Sequence, residues 1–213
     1  MAKQKHKARI PVQKRGVEKK EKIIDAAKAL FSEKGYYKTN TIEIAGRAGV
    51  ATGTFYSYFN NKKEVLIEIM RTFYKETSEK VLLNYQVQIH KDPARNYREG
   101  MKLVRFMIHT LSSAHSLDPA LHKEILALTM LDKDLETINR EEERKIVSNM
   151  TFLLRNYKKY IRVSDAEAAA TVLFRTAEEI IHRVKVFGVD IDGDRLLKEF
   201  EDMVSRYLFA PMN

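Results

Sequence analysis

Five hydroxyl-bearing side chains fall within seven consecutive residues: Thr52, Thr54, Tyr56, Ser57 and Tyr58, set around Gly53. A hydroxyl donates or accepts without carrying charge, so a short helix face built of them suits contact with phosphate oxygens and base edges. Gly53 weakens a helix where it stands. Its use is the missing side chain, where a helix backbone has to come close to a groove or a phosphate wall. Just upstream, Ile44, Ala45 and Ala48 form the apolar side of another short helix, and the two alanines are small enough to let a neighbouring helix approach. Gly49 supplies the turn, while Val50 and Phe55 plug the seam from the other side. Two short helices joined by a tight glycine turn, here between about Asn40 and Phe59, are the physical form of a helix-turn-helix, a DNA-reading element. Phe55 and Phe59 read as core. Tyr56 and Tyr58 divide between a phosphate-facing hydroxyl and a partly packed ring, and Thr52 is the best placed for reading bases.

The charge distribution supports this reading. The chain of 213 residues carries a formal net charge of +9. Residues 1–80 hold 18 Lys or Arg against 9 Asp or Glu, whereas residues 81–213 hold 20 against 20, so the whole excess is N-terminal. Nine basic side chains between Lys3 and Lys22 face only Glu18 and Glu21, with almost no apolar periodicity. Residues 1–17 are therefore expected to be a basic, disordered arm, a pattern that beside a DNA-reading motif adds phosphate affinity. The absence of cysteine removes disulfides, thiol chemistry and thiolate metal sites. No apolar run approaches the roughly 20 residues of a membrane span, and the start MAKQKHKARIPVQKRG lacks the apolar core of a signal peptide. The expectation is a cytoplasmic protein with no membrane partner.

The elements that position the hydroxyl face are all helical. Ile23, Ile24, Ala27, Leu30 and Phe31 form one stripe on a helix from Val17 to Lys34, stopped by Gly35. Asn40 with Glu43 makes a capping box for a helix to about Ala48, a second short helix spans about Thr52 to Tyr58, and Asn61 caps a third from Lys62 to about Ile89. The stretch His90-Lys91-Asp92-Pro93 is a break. Beyond it, Tyr97 to Ser113 is apolar nearly all round, and Asp118 caps a helix with Pro119 in its first turn. Lys133 to Lys159 is long and amphipathic, Ser164 with Glu167 opens a helix ended by Gly188 after Phe187, and Asp192 or Asp194 opens the last. No segment alternates with period two. An all-α chain of about nine helices follows, with an N-terminal three-helix DNA-binding domain over residues 18–63 and a helical domain over residues 64–213.

The spacing Gly35-Tyr36-x-x-Thr39, Ile44-Ala45-x-x-Ala48-Gly49-Val50, then Gly53-Thr54-Phe55-Tyr56-x-Tyr58-Phe59-x-Asn61-Lys62 closely resembles the N-terminal domain of the TetR family of repressors. The likeness covers about residues 18–70 without gaps. It implies a C-terminal domain of about six helices that binds a small effector and dimerises, with DNA affinity lost when the effector binds. By the same resemblance, recognition-helix contacts fall on Thr52, Gly53, Thr54, Tyr56, Ser57 and Tyr58, a phosphate-binding lysine on Lys62 and a cap contact on Thr41. The family usually has Ser or Thr where this chain has Ala51, so one side-chain cap, worth about 1 kcal/mol, and one phosphate contact are missing there.

A helix-turn-helix usually meets two half-sites about 34 Å apart, which calls for a homodimer and a palindromic operator on double-stranded DNA. Val172, Ile180, Val184, Leu196, Phe200 and Val204, on the last two helices, are the expected interface. Polar groups set into apolar helices suit the orientation of a small apolar effector: Arg105 with His109, and the stripe Arg175, Glu178, Glu179 and His182. Either set also reads as a polar pair satisfied within the core. Met107, Met130, Met150, Phe152 and Phe174 line the same candidate pocket, or are plain core. Glu179-x-x-His182 is one half of a di-iron bundle motif without its second half, so neither enzyme, metal site nor cofactor is expected. A non-specific architectural DNA-binding protein would leave the large neutral helical region unexplained.

Overall fold

The computed structural model describes residues 14–89 and 97–209, and every regular element among them is helical. The helices are α1 (Lys14–Lys34), α2 (Thr41–Arg47), α3 (Thr52–Tyr58), α4 (Lys62–Ile89), α5 (Tyr97–Ala114), α6 (Pro119–Leu131), α7 (Lys133–Asn156), α8 (Ala166–His182) and α9 (Gly193–Leu208). A π-helical turn, Arg183–Phe187, continues α8 and ends at Gly188, whose φ of 86° is a backbone state that side chains resist. The greater part of the expected basic arm, and the break at residues 90–93, lie outside the described residues.

The helix ends follow the capping chemistry, with local differences. α1 begins at Lys14, so the last residues of the expected arm are already helical. α7 stops at Asn156, short of Lys159. α8 is capped not by Ser164 but by Asp165, whose carboxylate accepts from the Glu167 and Ala168 amides at 3.0 Å each. Of the two aspartates offered for the last helix, Asp192 is the cap and accepts from the Arg195 amide at 2.9 Å. Asp118 accepts from the Ala120 and Leu121 amides ahead of α6, with Pro119 in the first helical position.

The chain packs as two compact units that divide at Phe73/Tyr74, with Leu117–Met130 belonging to the first. The first turns of α4 belong to this first unit and bury Val65, Leu66, Ile69 and Met70 completely, as Ile23, Ala27 and Phe31 of α1 are buried. In the second unit Val104 and Ile108 of α5, Leu173 and Ala177 of α8, and Leu197, Phe200, Val204 and Leu208 of α9 close one core, joined by Phe209. Met150 and Leu154 of α7 pack against it. α5 is less buried than its composition suggests, since Arg105 and His109 stand outward.

Gly100 of α5 is the seat of the Phe209 ring. A Cβ there would lie 2.6 Å from two ring carbons, well inside contact distance. Gly100→Ala should therefore lower the unfolding free energy by about 1–3 kcal/mol through overpacking, although alanine is the better helix former. In a Phe209→Ala background the same change should turn stabilising, by up to about 1 kcal/mol. Urea unfolding of the two pairs checks this, and an equal effect in both backgrounds would show that the ring does not set the requirement.

Candidate nucleic-acid interface

α2 and α3 are held on a seam of small against large. Ile44, Ala45 and Ala48 are buried on one side and Phe55 and Phe59 on the other, with the two phenyl rings 6.0 Å apart. Gly49 makes the turn at φ 66°. Asn40 forms the full capping box: its side chain accepts from the Ile42 and Glu43 amides at 3.1 and 3.0 Å, and the Glu43 carboxylate accepts from the Asn40 amide at 3.0 Å. Lys34 pairs with the same Glu43 at 2.6 Å, and Arg47 makes two bonds to Glu33 at 2.5 and 2.6 Å that tie α2 to α1. These bonds hold the Glu33 and Glu43 carboxyls below the ordinary range, each chiefly through its basic partner.

The outer face of this unit carries the hydroxyls. Thr52, Gly53, Tyr56 and Ser57 are exposed, while Thr54 and Tyr58 are half-buried. Ala51 begins α3 with no side-chain cap, as its residue type dictates. The hydroxyls of Thr41 and Tyr56 meet at 2.9 Å, joining α2 to α3 on the exposed side, and the Ser57 hydroxyl turns back to donate to the Thr54 carbonyl at 2.6 Å. Tyr37 and Ile42, which the spacing did not single out, stand 70% and 67% exposed in the same unit and widen its apolar surface. An exposed aromatic one residue after a packed one, Tyr36, was the available sign.

Lys62 is placed differently from the expectation. Its ammonium donates to the carbonyls of Tyr36 and Thr39 at 2.7 Å each and of Tyr37 at 3.3 Å, and lies 4.4 Å from the centre of the Tyr36 ring. All three of these acceptors belong to the α1–α2 connection. Burial lowers the Lys62 pKa, with Glu43 opposing. The same connection is met by α6, where Glu124 accepts from the Tyr36 amide at 2.6 Å, while Asp118, just ahead of α6, accepts from the Ser32 hydroxyl near the end of α1 at 2.7 Å.

The second unit redistributes the expected effector residues. Arg105 and His109 both reach Glu201 of α9, at 2.9 and 3.1 Å, so they are a satisfied polar set around a buried carboxylate. Met130, in the first unit, and Phe152 are 85% and 64% exposed and line no interior. Phe174 is buried and Met107 half-buried. Arg175 makes a two-pronged pair with Glu143 at 2.9 and 2.6 Å; Asn139 donates to the same carboxylate and accepts from the Tyr74 hydroxyl. Glu179 pairs outward with Arg183, so the Glu179-x-x-His182 motif does not assemble. The carboxylate beside His182 is Glu178, and a residue that sequence reasoning passed over, His115, completes the group. Of the expected interface residues, Phe200 and Val204 are buried in the core of this unit, Ile180 and Val184 are half-buried against it, and Leu196 is half-buried. Only Val172 stands fully out, at 55%, with Met203 and Tyr207 of α9 also exposed.

An exposed, uncharged recognition helix on a rigid helical seam, followed by a separate helical unit, defines a helix-turn-helix DNA-binding protein. Residues 23–69 match the family model described as bacterial regulatory proteins, tetR family, and residues 102–208 match that of the tetracyclin repressor-like C-terminal domain. The chain belongs to the TetR family of transcriptional regulators, which are not enzymes. The fatty acid metabolism regulator protein of Bacillus subtilis is 47% identical over 49 residues, which are 23% of this chain and 25% of that protein. The transcriptional regulator HbdR of an Aromatoleum strain is 49% identical over 49 residues, 23% of this chain and 21% of that one. The chain thus spans a quarter or less of these two relatives. Among solved structures, the fatty acid degradation regulator FadR of Bacillus halodurans superposes with a TM-score of 0.67 at 25% identity, covering 93% of this chain and 97% of that one. SmeT, the repressor of a Stenotrophomonas maltophilia multidrug efflux pump, does so at 0.66 and 25%, covering 90% and 91%.

Lys62→Ala should remove a brace and leave three carbonyls without their cationic donor. The N-terminal unit is expected to lose about 1.5–3 kcal/mol, the range for hydrogen bonds to a charged group. The slope of DNA affinity against salt should stay close to that of the unaltered protein. Thermal unfolding and a salt titration of DNA binding measure both, and a stable variant with a slope reduced by about one unit would return Lys62 to phosphate binding.

Proposed function

We propose that this chain is a ligand-responsive repressor that acts in the cytoplasm, binds a palindromic operator as a homodimer and lets go when a small apolar effector binds. The observation that carries the DNA-reading part is the exposure of Thr52, Gly53, Tyr56 and Ser57 on the side of α3 opposite the buried Phe55 and Phe59. With Lys62 committed to carbonyls, phosphate affinity falls to the N-terminal basic residues and to exposed cations such as Lys38. Thr52 reads bases, while Thr41, Thr54, Tyr56, Ser57 and Tyr58 contact backbone or position the helix. Ala51 and Gly53 permit close approach.

Dimerisation is supported by Val172 of α8 and by Met203 and Tyr207 of α9, large apolar side chains left outward on two neighbouring helices. An effector is supported by the inward polar groups of α8 and by the names of relatives: two concern fatty acid metabolism or degradation, and SmeT is also known as a complex with triclosan. The bonds of Asp118 and Glu124 to the end of α1 give α6 a grip on the recognition unit. An effector needs to prefer the DNA-incompetent state by only about 1–3 kcal/mol to change affinity roughly 5- to 150-fold.

Footprinting on fragments of the source genome should show one protected palindrome, its half-sites about one helical turn apart. Thr52→Ala should cost about 1–3 kcal/mol at one position of each half-site and leave the salt slope unchanged. Protection that covers all sequences equally, or a uniform loss across sequences in the variant, would overturn the reading.

A further inference from the structure

His115, Glu178 and His182 converge from two separate stretches of the second unit, and their ligand atoms lie within 4.8 Å of one another. His115 follows the last residue of α5, while Glu178 and His182 are one turn apart on α8. The side chains of His115 and His182 are 3% and 12% exposed, that of Glu178 26%. Each imidazole Nε2 stands 3.6 Å from a different oxygen of the one carboxylate. That separation is too long for a hydrogen bond. For the imidazole that shares its carboxylate oxygen it is close to the edge of a tetrahedron around zinc, about 3.3 Å for bonds of about 2.0–2.1 Å, and the remaining separations stay within 4.8 Å.

The orientation of His115 is held from behind. Its ring Nδ1 lies 2.9 Å from the Leu111 carbonyl, which can only accept, so Nδ1 donates there and Nε2 is the nitrogen that faces Glu178. A histidine whose second nitrogen donates to a backbone carbonyl is the arrangement found behind metal-ligating imidazoles. The His182 ring packs edge-on against it, with centres 5.6 Å apart. Burial, helped by His115, holds the His182 pKa below its ordinary value against the pull of Glu178.

We propose that His115 Nε2, His182 Nε2 and a Glu178 carboxylate oxygen bind a divalent transition-metal ion of the zinc class. Two imidazoles and one carboxylate are a donor set that suits zinc, cobalt or nickel over magnesium or calcium. Three protein ligands leave one tetrahedral position for water or for a donor atom of a bound molecule. The ion ties the end of α5 to α8, and it does so whether or not DNA affinity responds to an effector.

The test uses the full chain without an affinity tag, stripped with chelator and desalted. Co2+ is titrated first, because four-coordinate cobalt absorbs visible light far more strongly than the aquo ion; Zn2+ is then used to displace it. One equivalent of Co2+ should produce the strong visible bands, Zn2+ should abolish them, and Zn2+ should raise the melting temperature. Glu178→Gln and His182→Gln should each weaken binding roughly a hundredfold or more, beyond what loss of an outer-shell partner costs. Glu179→Gln and His109→Gln should bind as the unaltered chain does. Circular dichroism establishes that the variants fold, and the cobalt spectrum of the unaltered protein decides the matter should they not. Absent bands, or bands that survive both Gln substitutions, would overturn the site. Neither result depends on operator binding, so the repressor reading stands or falls separately.

Discussion

A helix of seven residues does not hold itself together in water, and both helices of the DNA-reading element are seven residues long. Their geometry is therefore borrowed from the surrounding packing. Phe55 and Phe59 are driven under α3 by their own burial, and Ala45 and Ala48 leave the room they need. What remains outward, the hydroxyl face, follows from what had to go inward. The recognition surface is in this sense the reverse side of the core.

Polar chemistry locks the unit where apolar packing is too small to specify it. The α1–α2 connection is gripped from three directions: by Lys62 at its carbonyls, by Glu124 at the Tyr36 amide, and by Lys34 through the capping carboxylate of Glu43. Each bond satisfies a backbone or charged group that the turn exposes. An unpaired group at such a place would weaken the fold by about 1–3 kcal/mol. Two cations of this unit, Lys62 and Arg47, are thereby occupied internally.

The second unit shows how a single sequence pattern divides under packing. α5 and α8 carry polar residues at helical spacing along apolar faces. One set, Arg105 and His109, closes on the buried carboxylate of Glu201. On α8 the neighbours Glu178 and Glu179 go separate ways, one inward to two histidines and one outward to Arg183. A difference of one residue on a helix is a rotation of about 100°, enough to decide between core and solvent.

Much of the fold could be read from the chain because helix periodicity, caps and glycine stops are local: the α-helices among the described residues, the Asn40 box, the Gly35 and Gly49 turns and the burial of Phe55 and Phe59 all depend on neighbours within one or two turns. The hydroxyl composition of α3 and the uncapped start at Ala51 are equally local. What only the tertiary structure decided involves partners far apart in sequence. Lys62 meets carbonyls some 25 residues earlier, Glu201 collects Arg105 and His109, and His115 joins α8. Phe200 and Val204 go to their own core, leaving Val172 outward, because an apolar stripe states only that it must be covered and not by what.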